Sequence, residues 1–188
     1  RRRSSPSAAP ATSSMSDFDV PFNAPRLTGQ ERRYVDAAIA SGTLAGNGPF
    51  TRRCEELLGA MLAGRPVLLT TSCTHALEMC ALLLELGPED EVIVPSFAFV
   101  ATAEAFALRG ARIVFADVLP DTLCLDAQSV EQRAGPRTRA IVALHYGGVG
   151  CEMDGLMAVA ERVGARLVED NAHGLGGAWR GRMLGTVG

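Results

Sequence analysis

Residues 67–106, VLLTTSCTHALEMCALLLELGPEDEVIVPSFAFVATAEAF, hold two short apolar runs, each followed by a helical pattern. VLLTT predicts a buried strand, and the segment after it predicts a helix that is apolar almost all round and therefore buried. EVIVP predicts a second strand, ended by Pro95, and FVATAEAFALRG predicts a second helix. Alternating strands and helices are typical of a parallel sheet whose crossover helices cover its faces.

The same alternation extends to both sides of this stretch. On the amino-terminal side, Thr28 and Glu31 form the pattern of a capping box that begins a helix, and Pro49 begins a second helix. On the carboxy-terminal side, ARIVFADV and RAIVALH predict strands, residues 152–163 a helix, and RLVED a final strand. We therefore predict a three-layer α/β/α domain, in which helices cover both faces of a mostly parallel central sheet.

Composition narrows the class of protein. The chain has 188 residues, 47% of them hydrophobic and 21% charged, which is typical of one ordinary α/β domain. A net charge of -3 with scattered arginines gives no reason to expect nucleic acid, and no apolar run is long enough to cross a bilayer. The 5 cysteines show neither CxxC pairs nor metal-site spacing, so we expect no metal and a cytoplasmic location.

The two ends of the chain differ from its middle. Residues 1–15 are rich in Ser, Ala, Pro and Arg, and we predict a disordered tail there. The last residues, GRMLGTVG, show no capped helix or polar tail, so we expect the chain to be the amino-terminal part of a longer protein. Exposed strand edges and apolar helix faces would then make the isolated piece poorly soluble.

Ligands of open parallel sheets bind outside the carboxyl ends of the strands, so the residues just after each strand are the candidates. Ser72 and Thr74 begin the helix after VLLTT, where free N–H groups favour a phosphate, although simple N-capping explains them equally well. Phe97 and Phe99 follow EVIVP in a chain that is only 5% aromatic. Either ring could stack on a planar ligand or pack in the core.

Carboxylates and histidines end the later strands. Glu169 and Asp170 end RLVED, and a buried carboxylate there needs a cationic or hydrogen-bond-donating partner. A protonated pyridine nitrogen and an arginine both meet that need. His173 and His145 either approach the same ligand or have structural roles.

These elements together resemble the DegT-type sugar-nucleotide aminotransferases, which have the aspartate-aminotransferase-like architecture of pyridoxal phosphate (PLP) fold type I. The resemblance covers residues 21–188, and it rests on the stretches PFNAP, SGTLAGNGPFTRRCEELL, VLLTTSCTHALEMCALLL, DEVIVPSFAFVATAEAF, RGARIVFADVLPDTL, HYGGVGCEMD and VEDNAHGLGGAWRGRMLGTVG. It implies that residues 16–188 are the amino-terminal part of a truncated large domain. The rest of that domain and a small carboxy-terminal domain would lie outside this chain.

The resemblance also implies site residues. Thr74 and His75 match the helix start that binds the cofactor phosphate in the family. Phe99 matches the aromatic residue that stacks on the pyridine ring, and Asp170 the carboxylate that pairs with the ring nitrogen. His173 stands where many members place a glutamine near the phenolic oxygen of the cofactor.

A lysine that holds the cofactor as a Schiff base completes the family's site. All 18 of the basic residues in this chain are arginines, and a guanidinium cannot form that bond. The resemblance places the lysine in a Ser-Phe-His-x-x-Lys-type segment beyond the end of this chain. We therefore expect no catalytic residue within the chain itself.

Two segments, FTRRCEELL and HYGGVGCEMD, resemble the subgroup that makes dTDP-4-amino-4,6-dideoxygalactose for enterobacterial common antigen. The implied reaction moves an amino group from L-glutamate through PLP to the 4-keto carbon of dTDP-4-dehydro-6-deoxyglucose. The resemblance further implies a homodimer, in which the loop 43–47 could serve a neighbouring subunit.

Three other functions stay open at this point. Some relatives carry histidine in place of the lysine and dehydrate nucleotide sugars with pyridoxamine phosphate. A lysine-free pseudoenzyme would bind cofactor or a partner without turnover. A nicotinamide-dependent enzyme is disfavoured, because no predicted strand is followed by GxGxxG.

Overall fold

The computed structural model describes residues 24–188, and the chain divides into two units between residues 44 and 45. The predicted tail, residues 1–15, lies outside the described residues. The first unit holds helix α1, Glu31–Ala40. The carboxylate of Glu31 accepts hydrogen bonds from the backbone N–H and the hydroxyl of Thr28, at 2.6 and 2.9 Å. Of the two hydrogen bonds of a capping box, the one from the Thr28 N–H to the Glu31 carboxylate is therefore present. The other is not, because the Thr28 hydroxyl bonds the same carboxylate rather than an N–H of the helix.

The second unit is a sheet covered by helices. Its helices are α2 (Pro49–Met61), α3 (Cys73–Leu83), α4 (Ala101–Ala107), α5 (Ala127–Arg133) and α6 (Met153–Val163). Its main strands are β1 (Glu91–Pro95), β2 (Arg112–Ala116), β3 (Thr138–Leu144) and β4 (Arg166–Asp170), in the order β2-β1-β3-β4. Every neighbouring pair in this sheet is parallel, which confirms the predicted α/β class with a mostly parallel sheet.

Alternation along the strands divides the core into two layers. In β1, Val92 and Val94 pack in the cluster that contains buried residues of α3 and α4. Ile93, between them, packs in the cluster that contains buried residues of α5 and α6. Successive side chains of a strand point to opposite faces, so a strand segment that is buried on both faces must be apolar, as residues 92–95 of β1 are.

Two predictions about the strands were wrong, and one helix was missed. VLLTT forms no strand: it pairs with no described residue, and Leu68 is 77% exposed. A strand needs a hydrogen-bonding neighbour as well as an apolar sequence. RLVED is not the final strand, because the short antiparallel strands β5 (Ala178–Trp179) and β6 (Arg182–Met183) follow it. Helix α5 was not predicted at all, since its sequence AQSVEQR is short and polar.

Helix α3 is not buried all round. Leu77 and Ala81 face the core, whereas Leu82 and Leu83 are 53% and 80% exposed. The sheet covers only one side of this helix among the described residues. The amino terminus of α3 lies beside the carboxyl ends of the strands, and the candidate site is at this place.

Candidate functional site

The carboxyl ends of the strands and the amino terminus of α3 border a cavity of about 100 Å³. It is lined by Cys73, Thr74, Leu77, Phe99, Ala101, Thr102, Leu144, Asp170, Ala172 and His173. Parallel strands bring their carboxyl ends to one edge, and this is why residues far apart in sequence meet here. Of the predicted cofactor residues, Thr74, Phe99, Asp170 and His173 line the cavity, and His75 does not.

The start of α3 explains why His75 is set apart from Thr74. The side chain of Ser72 accepts the backbone N–H of His75 at 3.2 Å, so Ser72 is the N-cap of the helix. The His75 ring is exposed and bonds the hydroxyl of Thr71 through Nδ1. Thr74 is half-buried at the cavity wall. The helix start therefore offers the Thr74 hydroxyl and the positive end of the helix dipole to an anion.

Asp170 at the end of β4 is buried, at 3% exposure. Its Oδ2 accepts a hydrogen bond from the Thr102 hydroxyl at 2.8 Å. Its Oδ1 accepts the backbone N–H of Ala172 at 3.3 Å and the Cys73 thiol at 3.6 Å. No arginine within residues 24–188 forms a salt bridge with it. A buried carboxylate with only neutral donors is costly, so the cavity suits a ligand that brings a cationic N–H.

The same carboxylate affects the pKa of the neighbouring Cys73 thiol. Partial burial, the negative charge of Asp170 and the hydrogen bond to that carboxylate together raise the pKa of the Cys73 thiol to about 11. The thiol is therefore protonated at neutral pH and acts as a neutral donor. The sequence carried no signal for this contact.

Alkylation of Cys73 provides a test that needs no ligand. We expect iodoacetamide at pH 8 to modify Cys73 several-fold faster in the Asp170→Asn variant than in the native protein, because the thiolate is then free of the neighbouring charge. Mass spectrometry of the peptides after timed quenching gives the rates. Cys54, an exposed thiol in α2, is the internal control and should react equally in both proteins. Equal rates at Cys73 would contradict the assigned contact.

The two phenylalanines after β1 have different surroundings. Phe97 packs against Tyr146, with ring centroids 4.9 Å apart, and Tyr146 meets the His173 ring edge-on at 5.4 Å. Phe99 lines the cavity and is 70% exposed, so it is not a core residue. An exposed ring at a cavity wall can cover the face of a planar ligand.

His173 is oriented by a turn after β3. Its Nδ1 accepts the backbone N–H of Gly147 at 3.2 Å, which leaves Nε2 as the donor of the neutral ring. Gly147 and Gly148 have φ of 60° and 84°, and a Cβ on Gly148 would lie 3.2 Å from the His173 carbonyl oxygen. The glycines of HYGGVG thus permit the close turn that holds His173 at the cavity.

His145 does not reach the cavity. It is 0% exposed; its Nδ1 accepts the N–H of Cys151 at 3.2 Å, and its Nε2 lies 2.9 Å from Oε2 of Glu169. The hypothesis that His145 approaches the ligand is therefore wrong, and its role is structural. The sequence could not distinguish these outcomes, because both place a histidine at the end of a strand.

Glu169 forms a second buried carboxylate site, apart from that of Asp170. Its side chain is 5% exposed and accepts backbone N–H groups of Gly185, Val187 and Gly188 at 2.7–2.8 Å. Burial by itself would raise the pKa of this carboxyl, but the hydrogen bonds from His145 and these N–H groups outweigh it and lower the pKa to about 2. Neighbouring residues of a strand point to opposite faces. Glu169 therefore binds the backbone of residues 185–188, whereas Asp170 faces the cavity.

Two other kinds of feature, a metal-binding cluster and a membrane span, are absent from the same part of the chain. Residues 24–188 contain no cluster of three or more side chains able to bind a metal ion. None of their helices has the length and apolar character of a membrane span.

Known proteins are similar to this chain in sequence and in architecture. The model of the DegT/DnrJ/EryC1/StrS aminotransferase family matches residues 25–188. The spore coat polysaccharide biosynthesis protein SpsC of Bacillus subtilis is 34% identical over 169 residues, which are 90% of this chain and 43% of SpsC. The chain thus spans less than half the length of this curated relative.

Solved structures superpose on the chain over most of its length. 3-Amino-5-hydroxybenzoic acid synthase is 32% identical, with a TM-score of 0.82 over 87% of this chain and 43% of its own. NtdA of Bacillus subtilis, solved with bound cofactor PMP, is 30% identical, with a TM-score of 0.74 over 78% of this chain and 34% of its own. These similarities confirm the fold predicted from the sequence.

Proposed function

This chain belongs to the DegT/DnrJ/EryC1/StrS aminotransferase family, and on that premise we propose that its cavity binds pyridoxal 5'-phosphate in an enzyme that transfers an amino group to a sugar. The observation that carries the proposal is Asp170, a buried carboxylate held only by neutral donors. A protonated pyridine nitrogen supplies the cationic N–H that this carboxylate lacks. The bound PMP of the similar NtdA structure supports the same cofactor here.

Four side chains around Asp170 have proposed roles in holding the cofactor. Thr74 and the amino terminus of α3 bind the phosphate, and His75 supports this helix start through its bond with Thr71. Phe99 covers one face of the ring. His173 donates from Nε2 to the phenolic oxygen, in the place where many relatives have glutamine.

Asp170 has the central chemical role. When bound, the cofactor supplies an electron sink for the carbanion that forms as the amino group is transferred. The negative charge of Asp170 keeps the ring nitrogen protonated, and this protonation makes the sink effective. A lysine amine from outside this chain is needed to move the proton, since the chain contains none.

The proposed substrates come from the resemblance of two segments to one subgroup of the family. We propose L-glutamate as the amino donor and the 4-keto carbon of a dTDP-4-dehydro-6-deoxyhexose as the acceptor, giving dTDP-4-amino-4,6-dideoxygalactose. The support is the pair of segments FTRRCEELL, within α2, and HYGGVGCEMD, which leads from β3 into α6. We further propose a homodimer, in which the loop 43–47 contributes to the partner's site.

Cofactor binding and turnover test this function separately. We expect the whole enzyme, not this lysine-free chain alone, to bind pyridoxamine 5'-phosphate, detected by its fluorescence, and to form 2-oxoglutarate from glutamate over repeated turnovers only when the keto-sugar nucleotide is present. The Asp121→Asn variant, which changes an exposed carboxylate in a turn, should behave as native. Failure to bind the cofactor would overturn the whole proposal. Binding without turnover would contradict the proposed aminotransferase activity and favour the pseudoenzyme, which binds the cofactor without catalysis.

A further inference from the structure

The two oxygens of the Asp170 carboxylate are held by donors of very different strength. Oδ2 receives the Thr102 hydroxyl at 2.8 Å, and Thr102 itself is 2% exposed. Oδ1 receives only a thiol at 3.6 Å and a backbone N–H at 3.3 Å. A hydroxyl bound to a carboxylate is a strong, charge-assisted donor, whereas a thiol is a weak one. The carboxylate is therefore anchored at one oxygen and incompletely satisfied at the other.

We propose that Thr102 and Cys73 are positioning residues for the contact between Asp170 and the cofactor ring nitrogen. Thr102 fixes the orientation of the carboxylate through Oδ2. The Cys73 thiol is a displaceable donor that keeps Oδ1 for the cationic N–H of the ligand. This inference rests on the proposed cofactor.

Thr102 also connects two parts of the site. Its hydroxyl bonds Asp170, and its backbone N–H donates to the carbonyl oxygen of Phe99 at 3.0 Å. One residue in the first turn of α4 thus links the carboxylate on β4 to the segment that carries the exposed ring. Because the hydroxyl is buried, its removal leaves Oδ2 with no other donor among the described residues.

Cys73 suits a temporary contact for electrostatic reasons. Its thiol stays protonated beside the carboxylate, so it contributes a donor without adding a second charge to the cavity. A charge-assisted N–H⁺···O⁻ bond is stronger than a thiol contact, so a pyridinium can displace the thiol from Oδ1. Both Cys73 and Asp170 line the same cavity, and this places the exchange where the ligand would lie.

The experiment compares two ligands that differ in one atom. The probes are pyridoxamine 5'-phosphate and its 1-deaza analogue, in which carbon replaces the ring nitrogen. We expect Thr102→Val to weaken binding of pyridoxamine 5'-phosphate about tenfold or more, because the Asp170 carboxylate then loses the donor that orients it toward the ring nitrogen. The deaza analogue, which has no ring N–H, should bind the native protein and this variant equally. Thr102→Ser keeps the hydroxyl and should restore native affinity.

Two further variants complete the test. Cys73→Ala should bind pyridoxamine 5'-phosphate about threefold more tightly than native, since no thiol then has to be displaced from Oδ1, and its affinity for the deaza analogue should be unchanged. Thr102→Ala removes the hydroxyl without adding bulk and replaces Thr102→Val if that variant fails to fold, as judged by its thermal melt. Equal weakening for both ligands would show a general packing defect and overturn the inference. Unchanged affinity in Thr102→Val would overturn it too, while binding by the native protein would leave the proposed function intact.

Discussion

The Asp170→Asn variant is expected to lower the rate of glutamate-dependent amino transfer about 10²–10³-fold, the usual effect of removing one preorganised electrostatic group from an active site. Asparagine has the shape of aspartate and can still accept the Thr102 hydroxyl, so the fold should persist. A neutral amide cannot keep the ring nitrogen protonated, however, and the electron sink then weakens. Steady-state formation of 2-oxoglutarate by the whole enzyme measures the loss.

The matched control is Asp121→Asn, which removes the same charge from an exposed turn. It should retain native kcat and native cofactor affinity. If Asp170→Asn lost no more activity than this control, Asp170 would not be the partner of the ring nitrogen.

The Glu169→Gln variant is expected to lower the free energy of unfolding by about 3 kcal/mol, because four hydrogen-bond donors lose a buried, charged acceptor together. The carboxylate accepts three backbone N–H groups and lies 2.9 Å from Nε2 of His145. The amide of glutamine has only one acceptor oxygen and turns an NH₂ group toward some of these donors. Urea unfolding at pH 7 measures the difference. Glu161→Gln, at an exposed position of α6, should change the unfolding free energy by less than about 0.5 kcal/mol.

The same carboxylate predicts a pH dependence. In the folded protein the pKa of Glu169 is lowered from 4.5 to about 2, so its stabilising effect is fully present above pH 4.5 and is lost as the pH falls through 2. Between these values the native protein should lose stability more steeply than Glu169→Gln, which has no carboxyl to protonate. Parallel slopes for the two proteins in this window would contradict the assigned hydrogen bonds.

Local patterns were sufficient for most of the elements. Strand EVIVP and the helix begun by Pro49 were predicted because their signals lie within the segment: an apolar run ended by proline, and a proline at the first helical position. VLLTT carries an equally clear apolar signal but forms no strand, because a strand also needs a neighbour. Leu83 on α3 is exposed for a related reason, since burial depends on what packs against a face.

The sequence by itself determined the parallel α/β class, the edge of the sheet where a ligand is expected, and the candidates Thr74, Phe99, Asp170 and His173. These follow from periodicity, from the order of the elements and from a family resemblance, all of which can be seen along a single chain. Only the tertiary structure decided that Asp170 faces the cavity while Glu169 is bound to the backbone of residues 185–188. It alone brought Thr102 to Asp170 from a position 68 residues away. The reason is physical: the charge and partners of a buried side chain depend on neighbours distant in sequence, and these become neighbours only when the sheet and its helices pack.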